Sequence, residues 1–360
     1  MVKLGDICQK DTSSLAQKDL EGNEGVYPIY GASGFIKYVD FYQQEKPYIA
    51  VVKDGAGIGR VMCLPGKSSV IGTMQYIIPG DGVNVNYLAY ALEHMNLAKY
   101  YTGATIPHIY FKDYCNEILP AHTQEEQQKI AASLGKVSKL IALRKEQLVK
   151  LDQLVKARFI ELFGHYTETA KLSDVAAVSG GLTKNAKRDK LPLRMPYLRV
   201  ANVSFASIDV SEMLEIGLTD EECEKTLLRN EDLLFVEGNG SPDQIGRVAI
   251  WKNEVVPCVH QNHLIKSRFN RGTVIPTFAM YYFMSQKGRE QIKSKAVSTS
   301  GLYTLSVSKI SDLLIPVPPI KLQKQFAAFV EQTDKSKLAI QQSLGKLELL
   351  KKSLMQKYFG

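Results

Sequence analysis

Residues 123–164 have the sequence TQEEQQKIAASLGKVSKLIALRKEQLVKLDQLVKARFIELFG, and residues 319–360 repeat it in outline as PIKLQKQFAAFVEQTDKSKLAIQQSLGKLELLKKSLMQKYFG. A constant offset of 196 positions, with no gap, pairs Gln127 with Gln323 and Leu148 with Leu344. The same offset pairs the Phe–Gly dipeptide at 163–164 with the one at 359–360. The chain therefore contains an internal duplication at low identity.

Each copy predicts one long helix. Apolar residues recur at alternating spacings of four and three, the 3.5-residue repeat of a coiled-coil seam, and no proline interrupts either copy. A helix of about forty residues spans about 60 Å, which suits a spacer or a docking arm. Ordinary helical packing would explain one seam alone. Two equivalent seams in one chain favour an intramolecular antiparallel pair, because association of separate chains loses more entropy. The residues predicted to form the helix pair and partner interface are Leu134, Val137, Ile141, Leu148, Leu151, Val155, Val330, Ile340, Leu344, Leu347 and Leu354.

The composition narrows the class of protein. The 360 residues carry a formal net charge of +8, which favours a polyanionic partner, although enzymes with anionic ligands are equally basic. The five cysteines lack CxxC spacing, so neither a disulfide framework nor a structural zinc site is expected. No apolar run approaches twenty residues, and the first residues, MVKLGDICQK, lack the apolar segment of a signal peptide. We expect a soluble cytoplasmic protein without membrane contact.

Two β-rich stretches alternate with the two helices. KLGDIC at 3–8 returns as KLSDVA at 171–176. YIAVVKDGAGIGRVMCL at 48–64 predicts a strand, a glycine turn and a second strand. LLFVEGNGSPDQIGRVAIW at 233–251 repeats that pattern, so Arg247 corresponds to Arg60. We predict an α+β chain with mixed α/β units at 1–120 and 165–316 and helices at 121–164 and 317–360, the units related by a pseudo-twofold axis.

Motifs of nucleotide and cofactor chemistry are missing. The sequence contains no GxxxxGK[ST], and DGAGIG at 54–59 has the wrong spacing for GxGxxG and lies between two strand-like runs. FVEGNG at 235–240 superficially resembles the glycine-rich cofactor loop of methyltransferases but lacks the glycine two places after Phe235. Cys258, His260 and His263 lack a matching ligand pair, and no GxSxG elbow marks a nucleophile. We predict no catalytic residue and no metal ligand.

Polar and basic residues in loops instead point to recognition. Between Lys184 and Arg199 six basic residues are interrupted by one acidic residue, Asp189, which suits a phosphate-contacting face, although a solvated loop explains any one of them equally well. Arg60 and Arg247 each follow a glycine turn, but either could simply pair with a carboxylate. The Thr/Gly-rich loops at 102–112 and 298–308 offer hydroxyls and could equally cap the units. The candidate nucleic-acid contacts are Lys53, Arg60, Gln75, Tyr76, Thr105, His108, Lys112, Lys184, Lys187, Arg188, Arg194, Arg199, Asn239, Arg247, Gln261, Asn262, His263 and Tyr303.

The whole chain resembles the DNA-specificity subunit of type I restriction-modification systems. The resemblance is carried by the helix at 125–164 after NEILPAHTQ, by VPPI at 317–320, by VEGNGSPDQIGRVAIW at 236–251 and by GATIPHIYFKD at 103–113. Together these motifs are specific, whereas each alone is much weaker.

The resemblance implies a subunit without catalytic activity. It implies two target-recognition domains that each read one half-site of a split, asymmetric target in double-stranded DNA, with the antiparallel helices setting the spacer. It also implies two methyltransferase subunits as partners and, in the complete assembly, endonuclease/translocase subunits. S-adenosylmethionine, ATP and Mg²⁺ would belong to those partners, and this chain would hold no cofactor.

The sequence departs from the family pattern in the helices. Pro120-Ala121-His122 replaces the usual Pro-Pro before the first helix, and Thr333, Lys337 and Lys351 weaken the second seam. Two other functions stay open at this level. A protein–protein adaptor would use the paired helices without touching DNA, and a self-contained enzyme fused to a recognition module would bind S-adenosylmethionine itself.

Overall fold

A computed structural model describes residues 1–103, 107–299 and 301–360. These residues divide into two units, of which the first contains 1–148 and 339–360 and the second contains 149–338. None of the helices in these ranges combines the length and the apolar character that crossing a lipid bilayer requires.

The first unit combines short strands with short helices and with parts of two long helices. Its elements are β1 (Val2–Lys3), α1 (Leu4–Ile7), β2 (Cys8–Thr12), β3 (Tyr27–Gly31), β4 (Gly34–Val39), β5 (Tyr48–Val52), β6 (Val61–Leu64), β7 (Ser69–Val70), β8 (Met74–Pro79), α2 (Val85–His94), α3 (Phe111–Tyr114), β9 (Ile118–Leu119) and the first part of α4 (Gln124–Phe163). An antiparallel sheet has the order β2-β8-β5-β6, a mixed sheet has the order β4-β3-β7, and β1 pairs with β9. All five residues of β5 are buried, as its uninterrupted apolar run predicts.

The second unit follows the same plan with additional elements. Its elements are β10 (Thr169–Lys171), α5 (Leu172–Val175), β11 (Ala176–Ser179), β12 (Leu193–Leu198), β13 (Val203–Ser204), β14 (Ser207–Ile208), β15 (Leu214–Leu218), α6 (Asp220–Thr226), β16 (Leu233–Val236), β17 (Gly238–Asn239), β18 (Val248–Ile250), β19 (Val259–His260), β20 (Leu264–Phe269), α7 (Pro276–Met284), α8 (Gln286–Lys295), β21 (Val297–Thr299), β22 (Leu302–Thr304), α9 (Val307–Ser311), β23 (Leu314–Pro316) and the first part of α10 (Ile320–Phe359).

Strand order shows the duplication directly. The order β11-β20-β16-β18 repeats β2-β8-β5-β6, the order β15-β12-β19 repeats β4-β3-β7, and the pair β10–β23 repeats β1–β9. Even the single parallel register in each mixed sheet is repeated, between β3 and β7 and between β12 and β19. The predicted strand–turn–strand runs are thus confirmed as β5–β6 and β16–β18. Helix α8 was not predicted.

The long helices α4 and α10 occupy the two stretches predicted from the sequence, and each unit contains a part of both. In the first unit, Ile130 and Leu134 near the start of α4 share a core with Met355 and Phe359 near the end of α10. In the second unit, Phe163 at the end of α4 packs against Phe326 near the start of α10, with ring centroids 5.6 Å apart. The helices therefore run antiparallel inside each unit.

The predicted seam residues of α4 and α10 are buried or half-buried. Two lysines that weaken the second seam have partners close by. Lys337 Nζ lies 2.5 Å from a carboxylate oxygen of Asp152, and Lys351 Nζ lies 2.8 Å from one of Glu93. The charges on this seam are therefore neutralised inside each unit instead of breaking the helix pair.

Gln127 and Gln323, which correspond through the offset of 196, make matching hydrogen bonds in the two units. Gln127 Oε1 accepts the backbone N–H of Asn84 at 2.9 Å, and Gln323 Oε1 accepts that of Ile275 at 2.8 Å. Each acceptor thereby satisfies the backbone donor of the N-cap residue of the preceding short helix, α2 or α7. The side-chain amides donate to His122 and Pro318 carbonyls just before the long helices.

Candidate nucleic-acid interface

Each unit carries a glycine-containing loop after its central strand, and the two loops are tied back in the same way. In the first unit Gly59 N–H donates to the Val52 carbonyl at 2.8 Å, and Val52 N–H donates to the Arg60 carbonyl at 2.9 Å. In the second unit Gly246 and Arg247 make the same two bonds to Val236, at 3.0 and 2.9 Å. The correspondence between Arg60 and Arg247 predicted from the sequence is therefore present in the backbone.

Glycine is required where these loops turn back. Gly59 has φ of +80°, and a Cβ there would lie 2.6 Å from the backbone nitrogen of Ala98. Gly246 has φ of +62° and is packed against Ile292 of α8. A side chain at either position would be strained by its backbone conformation and by lack of space. Each glycine therefore fixes the backbone conformation of its loop, and with it the position of the arginine that follows.

The two arginines bridge equivalent loops. Arg60 Nη1 donates to the carbonyl of Ala32 at 2.8 Å, in the turn after β3. Arg247 Nη2 donates to the carbonyl of Val200 at 3.4 Å, in the loop after β12. Arg60 is exposed, whereas Arg247 is half-buried and burial lowers its pKa. Each arginine thus joins two loops at one end of the sheet, and Arg60 keeps a solvent-accessible side chain.

A third loop meets the same strand end in each unit. Ile109 N–H donates to the carbonyl of Lys53 at 2.9 Å, and Leu305 N–H donates to that of Glu237 at 2.8 Å. Both donors lie within the Thr/Gly-rich stretches 102–112 and 298–308, the second of which contains β22 and the start of α9. The structure therefore brings together, in each unit, the glycine loop, the loop after the first strand of the mixed sheet and the Thr/Gly-rich loop.

Candidate residues of the first unit lie at this junction. His108 Nδ1 is 2.6 Å from Asp54 Oδ1, and both side chains are partly exposed. The His108 ring stacks on Tyr110, with centroids 6.4 Å apart, and Lys112 Nζ lies 5.3 Å from the Tyr110 centroid. Thr105, also a candidate, lies outside the described residues.

At the equivalent junction of its own loops, the second unit carries a different set of side chains. Asn239 pairs with Tyr303 across β17 and β22. His263 Nδ1 lies 3.1 Å from Glu237 Oε2, and the His263 carbonyl accepts the Glu237 N–H. Gln261 and Asn262 precede His263 in the turn between β19 and β20, and both are half-buried. The two units thus share a framework and differ in the groups that they present.

Three candidates are corrected by the structure. Gln75 and Tyr76 lie on the buried strand β8 instead of in a loop, with 3% and 0% of their surface exposed. Gln75 donates to the Tyr114 hydroxyl, and the Tyr76 hydroxyl donates to Gln43 at 2.6 Å. Polar side chains committed to internal partners inside a strand cannot reach DNA. Adjacent residues of a strand point to opposite faces, so both are hidden because β8 is covered on both faces, which a short sequence run does not show.

Arg188 is the third correction. It is 9% exposed, and its guanidinium forms a bidentate pair with Glu222 at 2.7 and 2.9 Å while also donating to the Thr183 and Gly217 carbonyls. Hydrogen bonding from Arg188 lowers the pKa of Glu222 to about 2. Arg188 therefore holds β15 and α6 together and is not available to phosphate.

The rest of the basic run separates into paired and unpaired residues. Arg194 lies 3.6 Å from Glu215, and Arg199 lies 3.2 Å from Glu212. Lys184 and Lys187 are exposed, and within the described ranges neither ammonium takes part in an ion pair. Lys190 is exposed as well and takes no part in an ion pair among the described residues, so these three lysines are the members of the run without a carboxylate partner there.

Arg289 of α8 is a residue that the sequence did not single out. Its guanidinium donates to the carbonyls of Gly246, Asp243 and Ile245 at 3.0, 3.2 and 2.6 Å, and lies 5.1 Å from the Phe205 ring centroid. Burial lowers its pKa. Arg289 thus stabilises the glycine loop of the second unit through hydrogen bonds to three of its carbonyls. Arg289 was not among the predicted site residues because it lies on α8, a helix that the sequence did not predict.

Both units also expose apolar residues on the long helices. In the first unit these are Leu140, Leu143, Leu349 and Leu350. In the second unit they are Val149, Leu154, Ile160 and Leu338. Ile160, 66% exposed, lines an apolar cavity of about 410 Å³ together with Phe159, Phe163 and Tyr281. Contiguous apolar surface of the kind that lines this cavity is typical of a protein-docking face.

Comparison with known proteins agrees with this picture. Residues 1–153 and 166–352 match the family model described as type I restriction modification DNA specificity domain. The chain is 27% identical over 194 residues to the putative type I restriction enzyme MjaX specificity subunit of Methanocaldococcus jannaschii, covering 53% of this chain and 45% of that protein. It is 24% identical over 310 residues to the StySPI specificity subunit of Salmonella potsdam, covering 78% and 66%. The chain therefore spans about half to two thirds of the length of these curated relatives.

Solved structures share the fold. The S subunit of a type I restriction-modification system from M. genitalium aligns with a TM-score of 0.62 at 16% identity, covering 100% of this chain and 95% of that one. A chain from a structure of type I restriction-modification complex assembly aligns with a TM-score of 0.57 at 13% identity, covering 99% and 96%.

Proposed function

Because the chain belongs to the type I restriction modification DNA specificity domain family, we propose that it recognises a bipartite, asymmetric target in double-stranded DNA, with one half-site for each unit. One observation carries this proposal. The same loop framework, tied by Arg60 in one unit and Arg247 in the other, presents different side chains in the two units. Equivalent scaffolds with unlike surfaces suit two unlike half-sites.

The charge of the chain supports a DNA ligand. The formal net charge is +8, Arg60 lies exposed in the glycine loop of the first unit, and Lys184 and Lys187 are exposed in the second unit. Phosphate contacts by such side chains supply affinity without sequence information, and planar groups such as Gln261, Asn262 and Asn239 supply the base contacts. A protein–protein adaptor that does not bind DNA would not need exposed basic side chains for phosphate together with planar groups for bases.

The proposal assigns the chemistry to partners. Two methyltransferase subunits, and endonuclease/translocase subunits in the complete assembly, would bind S-adenosylmethionine, ATP and Mg²⁺, while this chain supplies sequence choice and holds no cofactor. The exposed apolar residues of α4 and α10 give such partners a surface to bury. The complex would act on DNA in the cytoplasm.

A domain exchange tests the proposal. The chain is purified with its cognate methyltransferase, and residues 1–120 are exchanged for those of another family member, with α4 and α10 left intact. Sequencing of methylated adenines should show that one half of the modified sequence changes and the other is kept. The matched exchange of residues 165–316 should change the other half. Core residues Met355 and Phe359 come from α10, so each chimera is first checked for assembly.

Two outcomes favour the other functions. An assembled chimera that modifies the original sequence contradicts DNA recognition by the exchanged unit. If the affinity of the wild-type complex for DNA does not fall as the salt concentration rises, the adaptor is favoured. Calorimetry that detects S-adenosylmethionine binding to the isolated chain favours a self-contained enzyme.

A further inference from the structure

The outer face of the β3–β4 hairpin in the first unit is lined with aromatic rings. Phe35 and Tyr38 are 53% and 55% exposed, and their ring centroids are 4.9 Å apart. Tyr30 on the neighbouring strand lies 6.0 Å from Phe35 in an edge-to-face arrangement. Exposed neighbouring aromatic rings leave apolar surface in water, so they commonly mark a binding surface.

An irregularity in the strand pairing places these rings side by side. Ile29 is paired with Lys37, but the next residue, Tyr30, is paired with Phe35, so Ile36 is an extra residue in β4. In a regular strand, residues three apart point to opposite faces. The bulge at Ile36 turns Phe35 to the face of Tyr38, and bulges often re-aim a side chain next to a functional site.

The hairpin is directly connected to the candidate interface. Its turn contains Ala32, whose carbonyl accepts the Arg60 guanidinium at 2.8 Å. Arg60 belongs to the glycine loop, which in turn contacts the loop that carries His108 through the Gly55–Pro107 hydrogen bond at 3.1 Å. The turn of the hairpin that carries the aromatic face therefore contacts the loops on which the first unit gathers its polar candidates.

The corresponding hairpin of the second unit is chemically different. Strands β12 and β15 occupy the places of β3 and β4, and there Arg194 lies 3.6 Å from Glu215, both exposed. A face that only supports the fold would keep its apolar character in both copies of the duplication. A face that contacts two different half-sites is expected to differ between them.

DNA is favoured over a protein partner by charge and by the bond between the hairpin turn and Arg60 of the candidate interface. β4 is an edge strand of the three-stranded sheet β4-β3-β7. Strands can enter the major groove, where aromatic and other apolar side chains contact the thymine methyl group. Arg60, which donates to the Ala32 carbonyl in the turn of this hairpin, is exposed and positively charged.

We propose that the β3–β4 hairpin enters the groove of the half-site recognised by the first unit, and that Phe35 and Tyr38 are specificity-determining residues that contact base edges there. This inference rests on the proposed function. It adds an apolar contact face to the polar loops and names the hairpin, instead of the loops alone, as a recognition element.

The test uses the complex of the full chain with its methyltransferase. In the double variant Phe35→Ala/Tyr38→Ala we expect a loss in affinity for the cognate site of about tenfold or more, and relaxed base preference in the first half-site with the second unchanged. Base preference is measured by methylation of a library randomised in both half-sites. Tyr42→Ala, which removes an exposed aromatic ring from the first unit outside the hairpin, is the matched control and should leave the base preference in both half-sites unchanged.

Two results would overturn the inference. One is wild-type affinity and base preference in the double variant. The other is weaker assembly with the methyltransferase but unaltered base preference, which would identify the aromatic face as a protein contact. A wild-type complex without sequence-selective methylation would instead contradict the proposed function itself, so the two failures are distinguishable.

Discussion

Gln127 and Gln323 show how far a single residue can be interpreted from sequence. The offset of 196 identified them as equivalent, but nothing in the sequence says what a glutamine in the first turn of a long helix does. The structure shows that each satisfies a backbone N–H at the start of the preceding short helix and a carbonyl before its own helix. Such long-range satisfaction of backbone groups depends on the tertiary fold.

Replacing Gln323 with Ala should destabilise the second unit. Gln323 is fully buried, and its loss leaves the Ile275 N–H and the Thr273 and Pro318 carbonyls without this partner. Unsatisfied buried groups of this kind cost about 1–3 kcal/mol. Urea unfolding measures the change, and Gln128→Ala, at an exposed position on α4, is the control. Equal stability of the two variants would contradict the role assigned to Gln323.

His260 predicts a pH dependence of stability. Burial, followed by the nearby positive charge of Lys266, lowers its pKa from 6.5 to about 3. Its Nδ1 lies 2.9 Å from the Leu264 carbonyl, and its Nε2 has no hydrogen-bond partner in the described part of the chain, as suits a neutral ring. Below pH 6.5 the unfolded chain binds a proton that the folded chain does not. Stability should therefore fall with decreasing pH until the folded ring is protonated near pH 3.

The contribution of His260 can be isolated by substitution. Each pH unit between 6.5 and 4.5 should lower the free energy of unfolding by up to about 1.4 kcal/mol more in the wild type than in His260→Gln. The other titrating groups are common to both proteins and cancel in the difference. Urea unfolding at several pH values measures it, and parallel curves for the two proteins would show that His260 is not held neutral.

Site prediction at the residue scale failed where packing decides. Gln75 and Tyr76 have planar side chains with hydrogen-bonding groups, like Gln261 and Asn262, yet the first pair is buried in β8 and the second occupies a turn. Arg188 belongs to the same basic run as Lys187, but a 3-10 turn directs it toward Glu222. Composition identifies such residues as candidates, and only the fold decides which of them face solvent.

Elements were more predictable than residues because their signals are distributed over many positions. The seam of α4 and α10 extends along each helix, and the strand–turn–strand pattern is anchored by glycines that the backbone requires at 59 and 246. Helix α8 was not recognised because it is hydrophilic, with the sequence QKGREQIKSK, and few of its residues are buried. A polar helix that packs through two or three side chains leaves little periodic signal.

Helix α8 nevertheless predicts an effect on recognition. Arg289→Ala removes the three bonds that hold the carbonyls of the glycine loop in the second unit. We expect the loop to become mobile and base preference in the second half-site to relax, while preference in the first half-site is kept. Methylation of a randomised library measures both. Arg289→Lys should restore only part of the preference, because one ammonium cannot replace the fork of a guanidinium.

A structural role for Arg289 without any role in recognition has a different signature. In that case the variant would lower thermal stability, while the sequence preference of the surviving complex would match the wild type at every position of both half-sites. Lys287→Ala, a nearby exposed change on the same helix, is the control for loss of a positive charge.

At the scale of the whole molecule, the formal charge of +8 makes DNA affinity depend on salt. Each phosphate neutralised by a side chain contributes about −0.9 to the slope of log affinity against log salt. Lys184 and Lys187 are exposed and unpaired among the described residues, whereas Arg188, Arg194 and Arg199 lie beside carboxylates. Removing two phosphate contacts but no base contact should therefore change the slope of log affinity against log salt without changing the DNA sequence that is methylated.

In the assembled complex, Lys184→Ala/Lys187→Ala should lower affinity for all sites alike and reduce the steepness of the salt slope by about two, with the methylated sequence unaltered. Lys225→Ala/Lys335→Ala removes the same charge from lysines that already pair with Glu221 and Glu331, so its slope should stay near that of the wild type. Fluorescence anisotropy over a series of salt concentrations measures both. Identical slopes for the two double variants would mean that the unpaired lysines do not contact phosphate, and a changed methylated sequence would make them base contacts instead.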